Sequence, residues 1–212
     1  MRPLLSHAAP VYEGVVFVEL GFEVQTHGFV DALTGRGKMF AVGDNRALVG
    51  QRNGNGHIRG YAGWRATEQD ARDLAGRAED QVRAATLEVF DGWAPVLTDM
   101  IRLGELLGAR PLYALPVGHR WTSRPGLTLL GDAAHLMSPF AGEGVNLALA
   151  DAADLAEALT SGHGWAAVAR AEAVIAGRAT AAAKESAAGL AAVFSPDGAA
   201  RVLDHYRGRT AG

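Results

Sequence analysis

Leu129-Leu130-Gly131-Asp132-Ala133-Ala134-His135-Leu136-Met137-Ser138-Pro139-Phe140-Ala141-Gly142-Glu143-Gly144-Val145-Asn146 is the stretch on which the reading of this chain turns. Thr128 to Leu130, entered through Arg124-Pro125-Gly126, is short and apolar and predicts a buried strand that delivers Gly131 and Asp132 to its carboxyl end. Ligands of α/β sheets gather at such ends, where a carboxylate accepts hydrogen bonds from hydroxyl donors. In the following loop Pro139, Ala141, Gly142 and Gly144 carry little side chain, so backbone amides can approach a flat ligand closely. A helix is expected to open near Val145, aiming unpaired amides and its partial positive charge at whatever sits there. That arrangement favours a ligand that gains negative charge. The plainer alternative is that Gly131 and Asp132 form only a turn, and that Gly142 and Gly144 only precede a helix.

Outward from this stretch, the chain reads as sheet first and helices after. Val15 to Leu20 is β-branched and aromatic, as in a buried strand. Arg46–Arg52 and His57–Trp64 flank Asn53-Gly54-Asn55-Gly56, whose Asn-Gly steps supply the positive φ of a hairpin turn, and Gly35-Arg36-Gly37 marks another turn. Thr67 before Glu68 and Asp70 predicts a helix start. Val82 to Phe90 gives a second helix, and Val96 to Leu107, with Pro95 at its first turn, a third. Pro111 to Pro116 fits only an edge strand or an extended connector. Val145, Leu149, Ala153, Ala156 and Leu159 describe one helical face, expected to pack, and Trp165 to Phe194 reads as one long alanine-rich helix ended by Ser195-Pro196-Asp197-Gly198. The fold class is α+β.

Composition narrows the function. With 49% hydrophobic and 20% charged residues the chain can bury a core. A net charge of -3 with interspersed signs lacks the basic face of a nucleic-acid binder. Absence of cysteine removes disulfides, thiolate catalysis and cysteine-bound metals. No signal-peptide or membrane-span pattern stands out, so no membrane partner and a cytoplasmic setting are expected. His135 follows Asp132 by three positions, yet no third ligand stands nearby, and no metal site is expected. His7, His27, His57, His119, His163 and His205 have no partner at ligand spacing. Surface or loop roles are assigned to them, solvated or snorkelling roles to the arginines, Arg178 included, and packing roles mainly to Trp64, Trp93, Trp121 and Trp165.

The run Gly-Asp-Ala-Ala-His, Pro, Gly-x-Gly-x-Asn closely resembles the corresponding segment of the FAD-dependent monooxygenases typified by para-hydroxybenzoate hydroxylase and, closer still, the tetracycline-modifying enzymes. Arg2-Pro3-Leu4-Leu5-Ser6 and Pro10-x-Tyr12-x-Gly14 resemble the entry to that family's substrate domain. The resemblance implies FAD as cofactor, with Gly131, Asp132, Pro139, Gly142, Gly144, Val145 and Asn146 as its binding residues. Asp132 would hold the ribityl hydroxyls, the Pro139 loop would lie along the flavin, and the amides of Gly144, Val145 and Asn146 would face the pyrimidine edge. It further implies NADPH or NADH as reductant and O2 as co-substrate, with one oxygen entering an aromatic or polycyclic small molecule and the other leaving as water. The cofactor carries that oxidation, so no residue is named as a catalytic acid or base. His135 would be a structural member of the loop, and Gln51, Asn53 and Tyr61 lie where the family forms its substrate-domain wall.

The implied layout is a substrate-domain sheet with helices at 1–110, the C-terminal portion of an FAD-binding domain at 111–160 and a C-terminal helical segment at 161–212. The family's opening strand and Gly-x-Gly-x-x-Gly turn, which receive the FAD pyrophosphate, have no match here: Gly35-x-Gly37, Gly54-x-Gly56 and Gly142-x-Gly144 each lack the third glycine. The expectation is therefore a truncated or partial chain without the N-terminal Rossmann βαβ unit, and its missing half is a candidate partner. The alternative of another class is a non-catalytic remnant that binds a small molecule without redox activity.

Overall fold

The computed structural model describes residues 1–210. After a 3-10 turn at Arg2–Leu4 the elements are β1 (Val11–Glu23), α1 (Gly28–Thr34), β2 (Lys38–Gly43), β3 (Arg46–Arg52), β4 (His57–Arg65), α2 (Glu68–Ala75), α3 (Glu79–Val89), α4 (Pro95–Leu103), β5 (Glu105–Ala114), α5 (Asp132–His135), α6 (Gly144–Thr160), α7 (Trp165–Val193) and α8 (Gly198–Thr210). The fold is mixed α and β. Two compact units share the chain: one takes 1–13 and 113–190, the other 14–112 and the chain from Ala191 onward.

In the sheet unit the strand order is β2-β3-β4-β1-β5. The hairpin expected around Asn53-Gly56 is β3–β4, antiparallel from Arg46↔Trp64 to Arg52↔Ile58, and Asn55 and Gly56 take φ of 59° and 76°. A second hairpin, β2–β3, turns on Asp44 and Asn45, both at positive φ. The sequence marks this turn weakly, because Asp-Asn is a weaker hairpin signal than Asn-Gly, although both residues tolerate the left-handed region. Pro111 lies in β5, an edge strand, the position in a sheet that tolerates a residue without an N–H. Val15, Val16, Val18, Leu20, Leu48 and Ile58 are buried along the sheet, and Phe90, Met100 and Ile101 of the helical segments are buried to the same degree. Thr67 caps α2, accepting from the Asp70 amide, as its position predicts.

Three expectations need correction. The helix of Val96 to Leu107 ends at Leu103: Gly104 turns extended, with φ −67° and ψ 146°, and Leu106 and Leu107 belong to β5. Thr128 to Leu130 forms no strand. A strand needs a neighbour to complete its ladder, and among the described residues only an isolated Arg124↔Leu127 bridge forms nearby. Leu129 is buried there while Leu130 is exposed. Finally, the face of α6 that packs is Leu147, Asp151, Leu155 and Ala158, not the apolar face read from Val145 to Leu159. Val145, Leu149 and Leu159 are 75%, 66% and 63% exposed. The polar bonds made by Asp151 turn its side of α6 inward, and Leu155 and Ala158 follow it into a small core with Ala167, Val168 and Ile175.

α7 forms as one helix from Trp165 to Val193, matching the alanine-rich run, and α8 follows at Gly198. No helix among the described residues is long and apolar enough to cross a membrane.

Candidate cofactor site

The Gly131–His135 turn is built on one glycine. Gly131 has φ 54° and ψ −141°, which strains any L side chain, and a Cβ there would come within 3.1 Å of the Ala148 Cβ. The amides of Ala134 and His135 both return to the Gly131 carbonyl, at 2.8 and 2.9 Å, closing the four-residue helix α5. Contact with Ala148 sets Gly131 little more than one helical turn from the start of α6. Asp132, next along the chain, is exposed.

Side chains from distant parts of the sequence hold this turn. Asp151, fully buried on α6, accepts from the Gly131 amide at 3.0 Å and from His135 Nε2 at 2.5 Å, both at Oδ2. Its Oδ1 accepts from Arg178 Nη2 at 2.9 Å, and the same nitrogen reaches Asp154 Oδ2 at 2.9 Å. Burial alone would raise the Asp151 pKa, but the hydrogen bonds from His135, Gly131 and Arg178 outweigh it and hold the carboxyl below its ordinary value. An ionised carboxylate only accepts, so His135 Nε2 carries the proton. Its Nδ1 is buried without a partner among the described residues.

The carbonyl side of the turn is held as well. Arg2 donates from Nε to the Ala133 carbonyl at 2.8 Å and from Nη2 to the Asp132 carbonyl at 2.9 Å. His119 donates from Nδ1 to the Ala134 carbonyl at 2.7 Å, and its Nε2 meets Ser6 Oγ at 2.9 Å. Arg178 and His119 were assigned solvent or loop roles from sequence; both are bonded structural members here. The error has a physical origin, because neither ion pairing nor carbonyl bonding across long separations leaves a periodic trace. The side chain of His205 lies outside the described residues.

Beyond the turn, Ser138 donates to Glu13 Oε2 at 3.2 Å, and Ser186 of α7 donates to the Ser138 carbonyl. Phe140 packs against α7 at Gly189, where a Cβ would come within 3.0 Å of it. Beside this loop lies a concavity of about 260 Å³ lined by Glu13, Leu115, Val117, Met137, Ser138 and Ser186. Pro139 and Gly142 are exposed, and Gly142 takes φ 68° with open space around it. At the start of α6 no side chain caps the helix, and its first internal bond is from the Leu147 amide to the Glu143 carbonyl. The amides of Gly144, Val145 and Asn146 precede that bond, which makes them donors for a ligand or solvent. Gly144 has open space where a Cβ would stand, and Val145 and Asn146 are exposed.

The four tryptophans are half-buried. Trp121 donates to the buried Glu172 at 3.2 Å, Trp165 donates to Ser123 at 3.0 Å, and Trp64 and Trp93 pack edge-on against Phe90. Among the described residues no group of acidic or histidine side chains could hold a metal ion.

A profile of the FAD binding domain matches residues 25–207, and the chain belongs to that family. It is similar to the monooxygenase penA of Penicillium thymicola, 31% identical over 192 residues, which are 73% of this chain and 44% of that protein. Its fold is similar to that of Klebsiella pneumoniae HpxO complexed with FAD and uric acid, with a TM-score of 0.79 at 20% identity over 97% of this chain and 51% of that one. A salicylate hydroxylase substrate complex matches with a TM-score of 0.71 at 17% identity, over 92% of this chain and 53% of the other. The chain thus spans less than half the length of penA and about half of each of these structures.

Proposed function

We propose that this chain supplies the flavin-ring site and the substrate domain of an NADPH- or NADH-using, FAD-dependent monooxygenase that hydroxylates an aromatic or polycyclic small molecule in the cytoplasm. The observation that carries this reading is the pairing of an uncapped helix start at Gly144–Asn146 with an exposed carboxylate, Asp132, on a turn bonded in place from both sides. The donor set fits the group. Free amides at a helix N-terminus suit a ring edge that becomes negative on reduction, and a carboxylate suits the hydroxyls of a ribityl chain.

FAD, when bound, supplies the electron transfer and oxygen activation. What the chain contributes is binding and orientation. Gly131 gives the backbone shape that presents Asp132, and Asp132 takes the ribityl hydroxyls. Pro139 and Gly142 leave a low loop along the ring, and the amides of Gly144, Val145 and Asn146 favour the reduced state by donating to its charged edge. In this reading residues 1–110 are the substrate domain, 111–160 the C-terminal portion of the FAD-binding domain and 161–212 a C-terminal helical segment. Uric acid in HpxO and the occupied site of salicylate hydroxylase support a small aromatic substrate, with O2 as co-substrate.

Titrating flavins into the purified chain and following fluorescence quenching tests the proposal. All the proposed contacts are to ring and ribityl, and the sequence has no Gly-x-Gly-x-x-Gly turn for a pyrophosphate. FAD, FMN and riboflavin should therefore bind with affinities within about tenfold of one another, since no charge-assisted phosphate bonds separate them. Absence of quenching with all three, or quenching by FAD alone, would overturn this account of the site.

A further inference from the structure

We propose that Asp151 is the positioning residue of the cofactor turn: from inside α6 its carboxylate fixes the backbone orientation in which Asp132 meets the ligand. The inference rests on the flavin reading above and adds a residue that the sequence motif does not contain.

The argument starts from where the bonds converge. Asp151 is 0% exposed, and a buried carboxylate persists only when its lone pairs are used. Three donors use them: the Gly131 amide, His135 Nε2 and Arg178 Nη2. Two of the three lie at opposite ends of α5, one just before Asp132 and one three residues after it. A single oxygen, Oδ2, therefore clamps both ends of the turn that carries Asp132, and does so from the helix whose first amides face the proposed ligand.

Local backbone physics explains why a clamp is needed. Gly131 sits in a conformation that glycine alone adopts freely, and glycine loses the most conformational freedom on ordering. α5 has only four residues, too few to be stable as a helix in its own right. Without an external acceptor the Gly131 amide would be buried and unpaired, and the turn would populate other shapes. Arg2 and His119 secure the carbonyls of the turn, but neither bonds its amide side.

Pre-ordering of this kind shows in affinity, because a ligand need not spend binding energy on ordering the turn. A purely structural role for Asp151 would show only in stability. Arg178 separates the two: it contacts the same carboxylate but not the turn.

The experiment compares the wild-type chain with Asp151→Leu, Asp151→Asn and Arg178→Met, measuring FAD affinity by fluorescence quenching, thermal melting, and hydrogen exchange at residues 131–136. Asp151→Leu should bind FAD about tenfold or more weakly and exchange the Gly131 amide faster, as expected for loss of bonds to a charged acceptor. Asp151→Asn keeps one acceptor for Gly131 and His135 and should stay within about threefold of wild type. Arg178→Met should melt lower yet also stay within about threefold for FAD, since both turn contacts survive. Equal FAD affinity in Asp151→Leu and wild type would overturn the proposal, as would affinity losses that merely track melting temperature across the set. Should Asp151→Leu not fold, His135→Gln against His135→Leu reads the same contact: retained affinity in the first and loss in the second supports the clamp, and equal affinities sink it. A wild type that quenches no flavin sinks the cofactor reading itself, an outcome distinct from all of these.

Discussion

The two units of this molecule bury different things. Among the described residues of the sheet unit the buried polar side chains are Thr34, Thr86 and Thr98, and each hydroxyl donates to a carbonyl three or four residues back in its own helix. In the other unit they are His135, Ser138, Asp151, Glu172 and Ser186, and they bond across separations of 16 to 125 residues. The first unit satisfies its buried hydroxyls locally, and its polar bonds between distant segments come from arginines that are not fully buried, such as Arg46 to the Val89 carbonyl and Arg65 to the Phe194 carbonyl. The second depends on polar bonds between distant segments and leaves Val145, Leu149 and Leu159 outside. A scaffold can be made from volume alone, whereas a loop that must hold one shape for a ligand needs directional bonds.

The largest expected effect probes apolar volume. Phe90 is fully buried between Trp64 and Trp93, and Phe90→Ala should cost about 3–5 kcal/mol of stability in denaturant unfolding. On α6, Leu155→Ala, from the packed face, should cost about 2–5 kcal/mol, and Leu149→Ala less than about 0.5 kcal/mol. A large loss at Leu149 would mean that the outward face of α6 is covered, and the contrast drawn above would fail.

Legibility from sequence follows the same divide. The β3–β4 hairpin, the Thr67 cap, the edge position of Pro111 and the extent of α7 could all be read, because turn chemistry, capping and periodicity act within a few residues. The α6 face could not. Val145, Leu149 and Leu159 satisfy an amphipathic pattern, and only the partners of Asp151, at positions 131, 135 and 178, reveal that the other face is inside. The strand expected at Thr128–Leu130 failed for a related reason, since strand character depends on a neighbour rather than on the segment itself. Of the candidate site, the residues of the Gly131–Asn146 run were legible as a motif, while the roles of Arg2, His119 and Asp151, which bond the turn, and of Arg178, which bonds Asp151 from behind, were not.

The next effect is smaller and depends on pH. The folded-state pKa of Asp151 is depressed from its ordinary 3.8, so ionised Asp151 stabilises the fold above that value. This stabilisation is lost as pH falls through 3.8 towards the lower folded pKa. Wild type and Asp151→Asn, melted from pH 7 downward, should therefore converge in stability below about pH 4. A gap that stays constant into that acid range would show that the carboxylate charge contributes nothing, and would leave shape alone to explain the clamp.

The finest test removes one hydroxyl from each unit. Thr86 Oγ1 donates to the Val82 carbonyl, which also belongs to the helix ladder of α3, so Thr86→Val leaves that carbonyl satisfied and should change stability by under about 1 kcal/mol. Ser186 Oγ donates to the Ser138 carbonyl from another element altogether, and Ser138 lies outside any helix ladder that could replace the bond lost in Ser186→Ala. Its cost should be about 1–3 kcal/mol, accompanied by faster hydrogen exchange through Ser138–Phe140. Measured side by side, the two variants each remove one buried hydroxyl, Thr86→Val keeping the side-chain volume and Ser186→Ala leaving a small gap, and the exchange rates at the loop then read the loss of the bond separately from the loss of packing. Equal losses would mean that the loop is held by packing, as the sheet is, and that the polar bonds around it follow its shape rather than set it.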